Sequence, residues 1–130
     1  MSSTTNVAVL SQDAPALSPL MSQGIISNGI IYCSGSLGID PTTGKFVSGD
    51  VSHRTVQALR NLEQVILAGR SDLSKVVKVT IFISSMDYYA KVNEGCGKVF
   101  THDLKPCRTC VRVASLPLDA EVEIELVASI

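Results

Sequence analysis

The sequence predicts an α+β fold in which one mixed sheet of about six strands carries two helices on one face. Six short segments have the composition of strands, and two longer segments repeat apolar residues at helical spacing. The 130 residues suit one domain with one core, so we treat residues 1–130 as a single domain.

The N-terminal part of the chain predicts one strand followed by a hairpin. Residues 6–10 form the first candidate strand, and residues 24–26 and 29–33 form the next two. Between them, Asn28 and Gly29 carry the signal of a tight turn. The second and third strands are therefore expected to pair as antiparallel neighbours.

The first helix is predicted between Asp50 and Gly69. The segment Asp50-Val51-Ser52 is typical of a helix start, and Gly69 of a helix end. The apolar residues at helical spacing are Val56, Leu59, Leu62 and Ile66. This pattern gives the helix one apolar stripe.

A fourth strand and a second helix follow. The more apolar side of the strand, which should face the helices, consists of Val77, Val79, Ile81 and Ile83. Ser84 or Ser85 is expected to cap the helix. One helix face consists of Tyr89, Val92, Cys96 and Val99. Gly95 and Gly97 weaken its second half, each by about 1 kcal/mol relative to Ala.

Charged side chains alternate with apolar ones along the last two strands. Arg108, Cys110 and Arg112 share one side of the fifth strand, and Glu121, Glu123 and Glu125 share one side of the sixth. We expect both sets on the sheet face that the helices leave uncovered, with Glu123 in reach of Arg108 across adjacent strands. Such a face is either solvated or packed against another subunit. Because an unpaired ionised group is costly to bury, Arg108 needs a charged partner, and a small anionic ligand is one candidate.

Charge and hydropathy limit the classes of function. With 11 basic and 12 acidic residues and a net charge of −1, the chain lacks the basic surface typical of nucleic-acid binding. No apolar run is long enough to span a membrane. Because the first basic residue is Lys45, no targeting segment is indicated. We expect a cytoplasmic protein, or a mitochondrial one if a targeting segment has been removed.

The four cysteines are expected to be free thiols, and no metal site is expected. Cys107 and Cys110 match a Cys-x-x-Cys spacing, but residues three apart on a strand point to opposite faces. The remaining cysteines, together with His53 and His102, have none of the paired spacings of a closed zinc site.

Several motifs, in order along nearly the whole chain, carry a resemblance to a known family. They are Ser22-Gln23-Gly24, Tyr32-Cys33-Ser34-Gly35, Asp40-Pro41-Thr42-Thr43-Gly44, Gln57-Ala58-Leu59-Arg60-Asn61-Leu62, Val92-Asn93-Glu94, Pro106-Cys107-Arg108-Thr109-Cys110, Leu116-Pro117 and Val122-Glu123-Ile124-Glu125. In this combination the chain resembles the RidA/YjgF/UK114 family of reactive-imine deaminases. The resemblance implies a chorismate-mutase-like fold and a homotrimer with the uncovered sheet faces inward and a site at each subunit interface.

The resemblance also implies a reaction and a site. Reactive 2-imino acids and enamines, such as 2-aminoacrylate, 2-iminopropanoate and 2-iminobutanoate, would be hydrolysed to 2-keto acids and ammonia without a cofactor. Arg108 would anchor the substrate carboxylate, since a guanidinium matches a carboxylate with paired donors. Glu123 would position the water or the departing ammonia. The rest of the implied pocket is Cys110, Asn93, Ser34, Gly35 and Met21.

Residue chemistry leaves alternatives open. Arg108 could instead form a structural salt bridge, and Cys110 could be a packing thiol or a nucleophile with a lowered pKa. Met21 and Cys96 stand where many relatives have tyrosines, and Met21 would suit a larger or more hydrophobic imine. For the whole chain, the alternatives are a non-catalytic module that binds a small carboxylate, and RNA cleavage or translation inhibition. The near-neutral charge and the absence of Trp disfavour RNA.

Overall fold

The computed structural model describes residues 5–130, which form one six-stranded sheet and two α-helices. The elements are β1 (Val7–Val9), β2 (Gly24–Ser27), β3 (Ile30–Cys33), α1 (Val51–Ala68), β4 (Val76–Ile83), α2 (Tyr89–Val99), β5 (Cys107–Arg112) and β6 (Val122–Ser129). The strand order is β1-β2-β3-β6-β4-β5, and β4 pairs with β5 in parallel while the other pairs are antiparallel. The predicted fold class and element order are confirmed.

The predicted turn and helix ends are present. Asn28 and Gly29 both have positive φ, as a two-residue hairpin turn requires, and they connect β2 to β3. The Asp50 side chain accepts a hydrogen bond from the Ser52 amide at the start of α1, and Gly69 follows its last residue. Within the described part of the chain, no helix combines the length and apolar character needed to cross a membrane.

The hydrophobic core lies between the sheet and the two helices. Its largest fully buried side chains are Ile31, Leu59, Leu62, Ile66, Ile81, Ile83, Ile124 and Leu126. On α2, Val92, Cys96 and Val99 are buried against the same core, which confirms three of the four residues predicted for that face. The fourth, Tyr89, is 39% exposed, and its hydroxyl contacts Arg108 instead.

The fourth strand corrects one prediction. The alternation places Val77 on the buried side, but its side chain is 45% exposed and Val76 is buried in its place. A register shift opposite β6 between Val76 and Lys78 moves the alternation by one residue. Val79 and the residues after it face the core as predicted.

Gly95 is required by the contact between the helices. A Cβ atom at this position would lie 2.8 Å from the Ser52 carbonyl oxygen and 2.8 Å from the Thr55 Cβ, both on α1. A Cβ at Gly97, two residues later, would meet nothing within 4 Å. The absence of a side chain at Gly95 thus compensates for its poor helix propensity by letting α2 approach α1.

The largest correction concerns the faces of the last two strands. Arg108 pairs with Val79 and Cys110 with Ile81, so both lie on the helix-covered face of β5. Glu123 pairs with Phe82 on the opposite face. The prediction that Arg108 and Glu123 share a face on adjacent strands is therefore wrong. It failed because β4 lies between β5 and β6, which separates them by about 10 Å, and because alternation within one strand does not determine which side faces the helices.

Candidate functional site

Two cavities contain the residues that the sequence analysis selected. The first, of about 310 Å³, lies between α2 and β5, and we call it the Arg108 pocket. The second, of about 300 Å³, lies between the N-terminal segment, the end of β3, α1 and β6, and we call it the Glu123 pocket.

The Arg108 guanidinium is held by Tyr89 and not by a carboxylate. Arg108 Nη2 donates a hydrogen bond to Tyr89 Oη at 3.1 Å, and Cζ lies 5.5 Å from the centre of the Tyr89 ring. Among residues 5–130, the ion pairs involve other side chains. The guanidinium is thus oriented by an aromatic contact while keeping its charge and further donors for a ligand.

Asn93 gives the Arg108 pocket a buried acceptor. It lies one turn after Tyr89 on α2, and its Oδ1 is buried without a hydrogen-bond partner within the described residues. Leaving such an acceptor unsatisfied costs about 1–3 kcal/mol. A ligand that places an N–H group beside Asn93 and an anionic group at Arg108 would match both.

The two thiols near Arg108 are neutral. Burial raises the pKa of Cys96 and that of Cys110, and the positive charge of Arg108 opposes the effect only in part. All four cysteines are free, and the pKa of Cys33 is raised to about 12 by burial. The raised pKa of Cys110 favours a packing thiol over a nucleophile, since the thiolate is the reactive form.

Glu123 is a half-buried carboxyl at the edge of the second pocket. Burial raises its pKa, and the nearby charge of Glu125 raises it further. Gly35 makes room for this side chain, because a Cβ there would lie 2.7 Å from Glu123 Oε2. The position of Glu123 therefore depends on a glycine at 35.

The N-terminal segment forms the other side of the Glu123 pocket. Gln23 fixes it by accepting a hydrogen bond from the Ser11 amide at 2.6 Å and donating to the Pro15 carbonyl at 3.0 Å. Ser34 Oγ donates to the Ser22 carbonyl at 2.6 Å. Met21 is at the rim, with its side chain 54% exposed.

Residues 5–130 contain no group of three or more His, Cys, Asp or Glu side chains arranged to hold a metal ion. His53 Nδ1 lies 3.1 Å from Asp50 Oδ1 at the start of α1, where the two residues form a capping box. His53 thus stabilises the helix start.

Comparison with known proteins identifies the family. A family model described as "Endoribonuclease L-PSP" matches residues 11–130. Reactive Intermediate Deaminase A, chloroplastic, of Arabidopsis thaliana is 40% identical over 129 residues, which cover 99% of this chain and 68% of that protein. The chain belongs to the RidA/YjgF/UK114 family. The resemblance predicted from the motifs is confirmed.

Two further RidA-family relatives are similar over nearly their full length. A Rattus norvegicus protein named 2-iminobutanoate/2-iminopropanoate deaminase is 35% identical over 98% of this chain and 93% of its own. The crystal structure of E. coli TdcF with bound serine superposes with a TM-score of 0.89 at 30% identity, covering 95% of this chain and 98% of that one. That protein binds a small amino acid.

The seven residues that the RidA resemblance implies fall into two groups within one chain. Those at or beside the Arg108 pocket are Arg108, Asn93 and Cys110. Those at the Glu123 pocket are Glu123, Ser34, Gly35 and Met21. Each group forms what we call a half-site, and the Arg108 and Glu123 side chains lie on opposite faces of the sheet.

Sequence reasoning missed Tyr89 and Leu118. Tyr89 was assigned to the apolar face of α2, although its spacing of four residues from Asn93 places both on one side of the helix. Leu118 lines the Glu123 pocket from a turn in which it has φ of 57°, a conformation that leucine rarely adopts. The helical spacing could have revealed Tyr89, but nothing in the local sequence marks Leu118.

Proposed function

We propose that this chain hydrolyses 2-imino acids to 2-keto acids and ammonia, at sites that two copies of the chain form together. The observation that carries the proposal is the division of the site into two complementary half-sites. One presents a cation that has no acidic partner among the described residues, and the other presents a carboxyl with a raised pKa. The names of the Arabidopsis and rat relatives support the reaction class.

The Arg108 half-site would bind and orient the substrate. Arg108 would hold the carboxylate through charge-assisted hydrogen bonds, with Tyr89 fixing the guanidinium from behind. Asn93 Oδ1 would accept a hydrogen bond from the imine N–H. These contacts would hold the C=N carbon in one orientation, and positioning is the main requirement for a bond that already hydrolyses in water.

The Glu123 half-site would supply proton transfer. As water adds to the imine carbon, a C–O bond forms and the C=N bond becomes single, while the Glu123 carboxylate takes a proton from the water and passes it to the nitrogen. In the resulting carbinolamine Glu123 takes the hydroxyl proton and delivers it to the amino nitrogen, so that the C–N bond breaks, the C=O bond forms and ammonia leaves. A carboxyl whose pKa is raised by burial and by Glu125 is a stronger base than an ordinary glutamate, which suits the first step.

Assembly of copies would bring the half-sites together. The uncovered sheet face presents apolar side chains, among them Tyr32 at 50% and Val111 at 41% exposure, with Phe82 half-buried beside them. In a closed ring of copies joined head to tail, one surface of each copy contacts a different surface of the next. A homotrimer of this kind would place Arg108 of one copy opposite Glu123 of its neighbour at each interface.

A small-carboxylate-binding module is a second candidate, favoured by the bound serine in TdcF. The same Arg108 half-site would serve it, so only turnover separates the two functions. RNA cleavage, which the family model's description names, finds less support here because the net charge is −1 and His53 caps a helix. Salt-sensitive RNA binding would reopen that alternative.

The test measures 2-keto acid release from an imine generated in solution by an amino-acid oxidase. We expect the wild-type chain to accelerate release and Arg108→Ala to lower kcat/KM by roughly 30-fold to several thousandfold, as for loss of a charged partner. Arg112→Ala is the matched control, because Arg112 is an exposed arginine four residues further along the same side of β5. Equal losses in both variants, or no acceleration by the wild type, would contradict the proposal.

A further inference from the structure

The Glu123 pocket contains polar residues, but most of their side chains are already hydrogen-bonded to the chain itself. Ser36 Oγ donates to the Ala58 carbonyl at 2.9 Å, and Asn61 Nδ2 donates to the Ile39 carbonyl at 2.8 Å. Asn61 Oδ1 accepts from Gln57 at 2.8 Å. Ser34 and Gln23 bond to backbone groups, as described above. These polar groups therefore hold the pocket walls in place and are not free to bind a ligand.

The remaining surface of the pocket is aliphatic or sulfur-containing. Its larger apolar side chains are Leu17, Met21, Leu37, Ile39, Leu62 and Leu118. Glu123 lines the same pocket, so a molecule that reaches Glu123 with its reacting carbon can extend its side chain along the apolar residues. A methyl group would leave most of the 300 Å³ cavity empty.

Two residues at the mouth of the pocket are exposed although they are apolar. Met21 is 54% exposed and Leu118 is 70% exposed. Leu118 and Asp119 both have positive φ, at 57° and 56°, which costs of order 1–3 kcal/mol for each residue. This turn presents an apolar side chain at the mouth, where a bound apolar group would remove it from water.

We propose that the Glu123 pocket receives the substrate side chain and that this chain prefers 2-imino acids with branched or long aliphatic side chains, as derived from leucine, isoleucine or methionine. The inference rests on the proposed function, because it assumes the imine carbon is held between Arg108 and Glu123. It extends that function by naming the substrate class and the residues that select it.

The preference follows from burial of apolar surface. Each added methylene that fits an apolar pocket favours the larger substrate, and one methylene is worth roughly 10- to 200-fold in kcat/KM in a well-fitted site. Because Met21 and Leu118 leave the pocket open, we expect a smaller gain. The leucine-derived imine should exceed the alanine-derived imine by about tenfold in kcat/KM.

The experiment compares hydrolysis of the leucine-derived and the alanine-derived imine, each generated by an amino-acid oxidase. Semicarbazide in the mixture traps the imine that the enzyme has not hydrolysed, so a slower formation of the trapped product measures hydrolysis. Wild type is compared with Ala16→Phe, which adds a ring to the lining of the pocket. The control is Ala68→Phe, which makes the same exchange outside the pocket, at the exposed last residue of α1. The readout is the ratio of kcat/KM for the two imines. We expect Ala16→Phe to reduce this ratio several-fold and Ala68→Phe to leave it unchanged.

Binding of the product 2-keto acids, measured by calorimetry, completes the test. The six-carbon branched keto acid derived from leucine should bind more tightly than pyruvate, and Ala16→Phe should remove the difference. Hydrolysis of both imines with a preference for the smaller one would overturn the inference and leave the proposed function intact. Absence of hydrolysis would contradict the proposed function, and the keto-acid comparison would then decide separately whether the pocket selects apolar side chains.

Discussion

The Arg108 pocket and the Glu123 pocket have nearly the same volume but opposite chemistry. The first combines a cation with a buried acceptor, Asn93 Oδ1, that lacks a hydrogen-bond partner within residues 5–130. The second is an apolar cavity whose polar side chains are mostly bonded internally, with one half-buried carboxyl, Glu123. The first is suited to hold the polar end of a small molecule, and the second to hold an apolar end beside a proton acceptor.

Under the proposed function, this difference would leave one chain alone with an incomplete site. Arg108 and Glu123 lie on opposite faces of the sheet with β4 between their strands. A substrate the size of an amino acid cannot contact both within one copy. A complete site would therefore need two copies that contribute different halves, and a substitution in one half should leave the other intact.

The largest effect is expected from Glu123→Gln, which keeps the shape of the side chain and removes its basicity. We expect kcat/KM for imine hydrolysis to fall by roughly 100- to 10,000-fold, the usual contribution of general acid–base catalysis. The affinity for a 2-keto acid at Arg108 should change little. Steady-state kinetics and calorimetry on the same preparation measure both quantities, and an equal loss of affinity would show that Glu123 acts in binding.

Gly35→Ala should displace Glu123 without changing its chemistry. The new Cβ would lie 2.7 Å from Oε2 of Glu123, so the carboxyl must move. Misplacement of a catalytic group by about 1 Å can reduce the rate by up to about 100-fold. In a Glu123→Gln background, Gly35→Ala should cause little further loss of kcat/KM. A double variant whose loss equals the sum of the two single losses in free energy would show that Gly35 does not act through Glu123.

Gly95→Ala tests how the Arg108 half-site is supported. The new methyl group would meet α1 at 2.8 Å, so we expect the free energy of unfolding to fall by about 1–3 kcal/mol. Gly97→Ala, on the same helix with open space around it, should raise the free energy of unfolding by up to about 1 kcal/mol through helix propensity. Denaturant unfolding measures both, and similar effects of the two variants would refute the close-contact role of Gly95.

The smallest effect is expected from Glu125→Gln, which acts on Glu123 from a distance. The negative charge of Glu125 raises the pKa of Glu123, so its removal should lower that pKa. Because Glu123 must be ionised to accept a proton, the acidic limb of the pH profile of kcat/KM should move to lower pH. An acidic limb that stays in place or moves to higher pH would show that it reports the ionisation of a group other than Glu123.

The sequence predicted the elements well because each has a local signal. Asn28 and Gly29 define a turn, and Asp50 and Gly69 define the ends of α1. The residues that line the two pockets were predicted from the family resemblance. The resemblance names the site residues but does not say which copy of the chain contributes each of them. The pairing of Arg108 with Glu123 failed because β4 inserts between β5 and β6, a long-range topology that no local pattern encodes.

Other features of the site were beyond sequence reasoning for physical reasons. The clearance at Gly35 depends on a side chain that is distant in the sequence, and the unsatisfied Asn93 Oδ1 depends on the surroundings of α2. The apolar character of the Glu123 pocket depends on hydrogen bonds that occupy Ser36 and Asn61. The sequence indicates this apolar character only through Met21.

Mixing two inactive variants tests the central claim most directly. Arg108→Ala and Glu123→Gln chains carrying different tags are produced together in equal amounts, and the mixed assemblies are assayed for imine hydrolysis. If each site takes Arg108 from one copy and Glu123 from the next, random assembly should restore about a quarter of the wild-type activity. Co-assembly of the two chains without recovery of activity, or chains that do not associate at all, would contradict a site formed between copies.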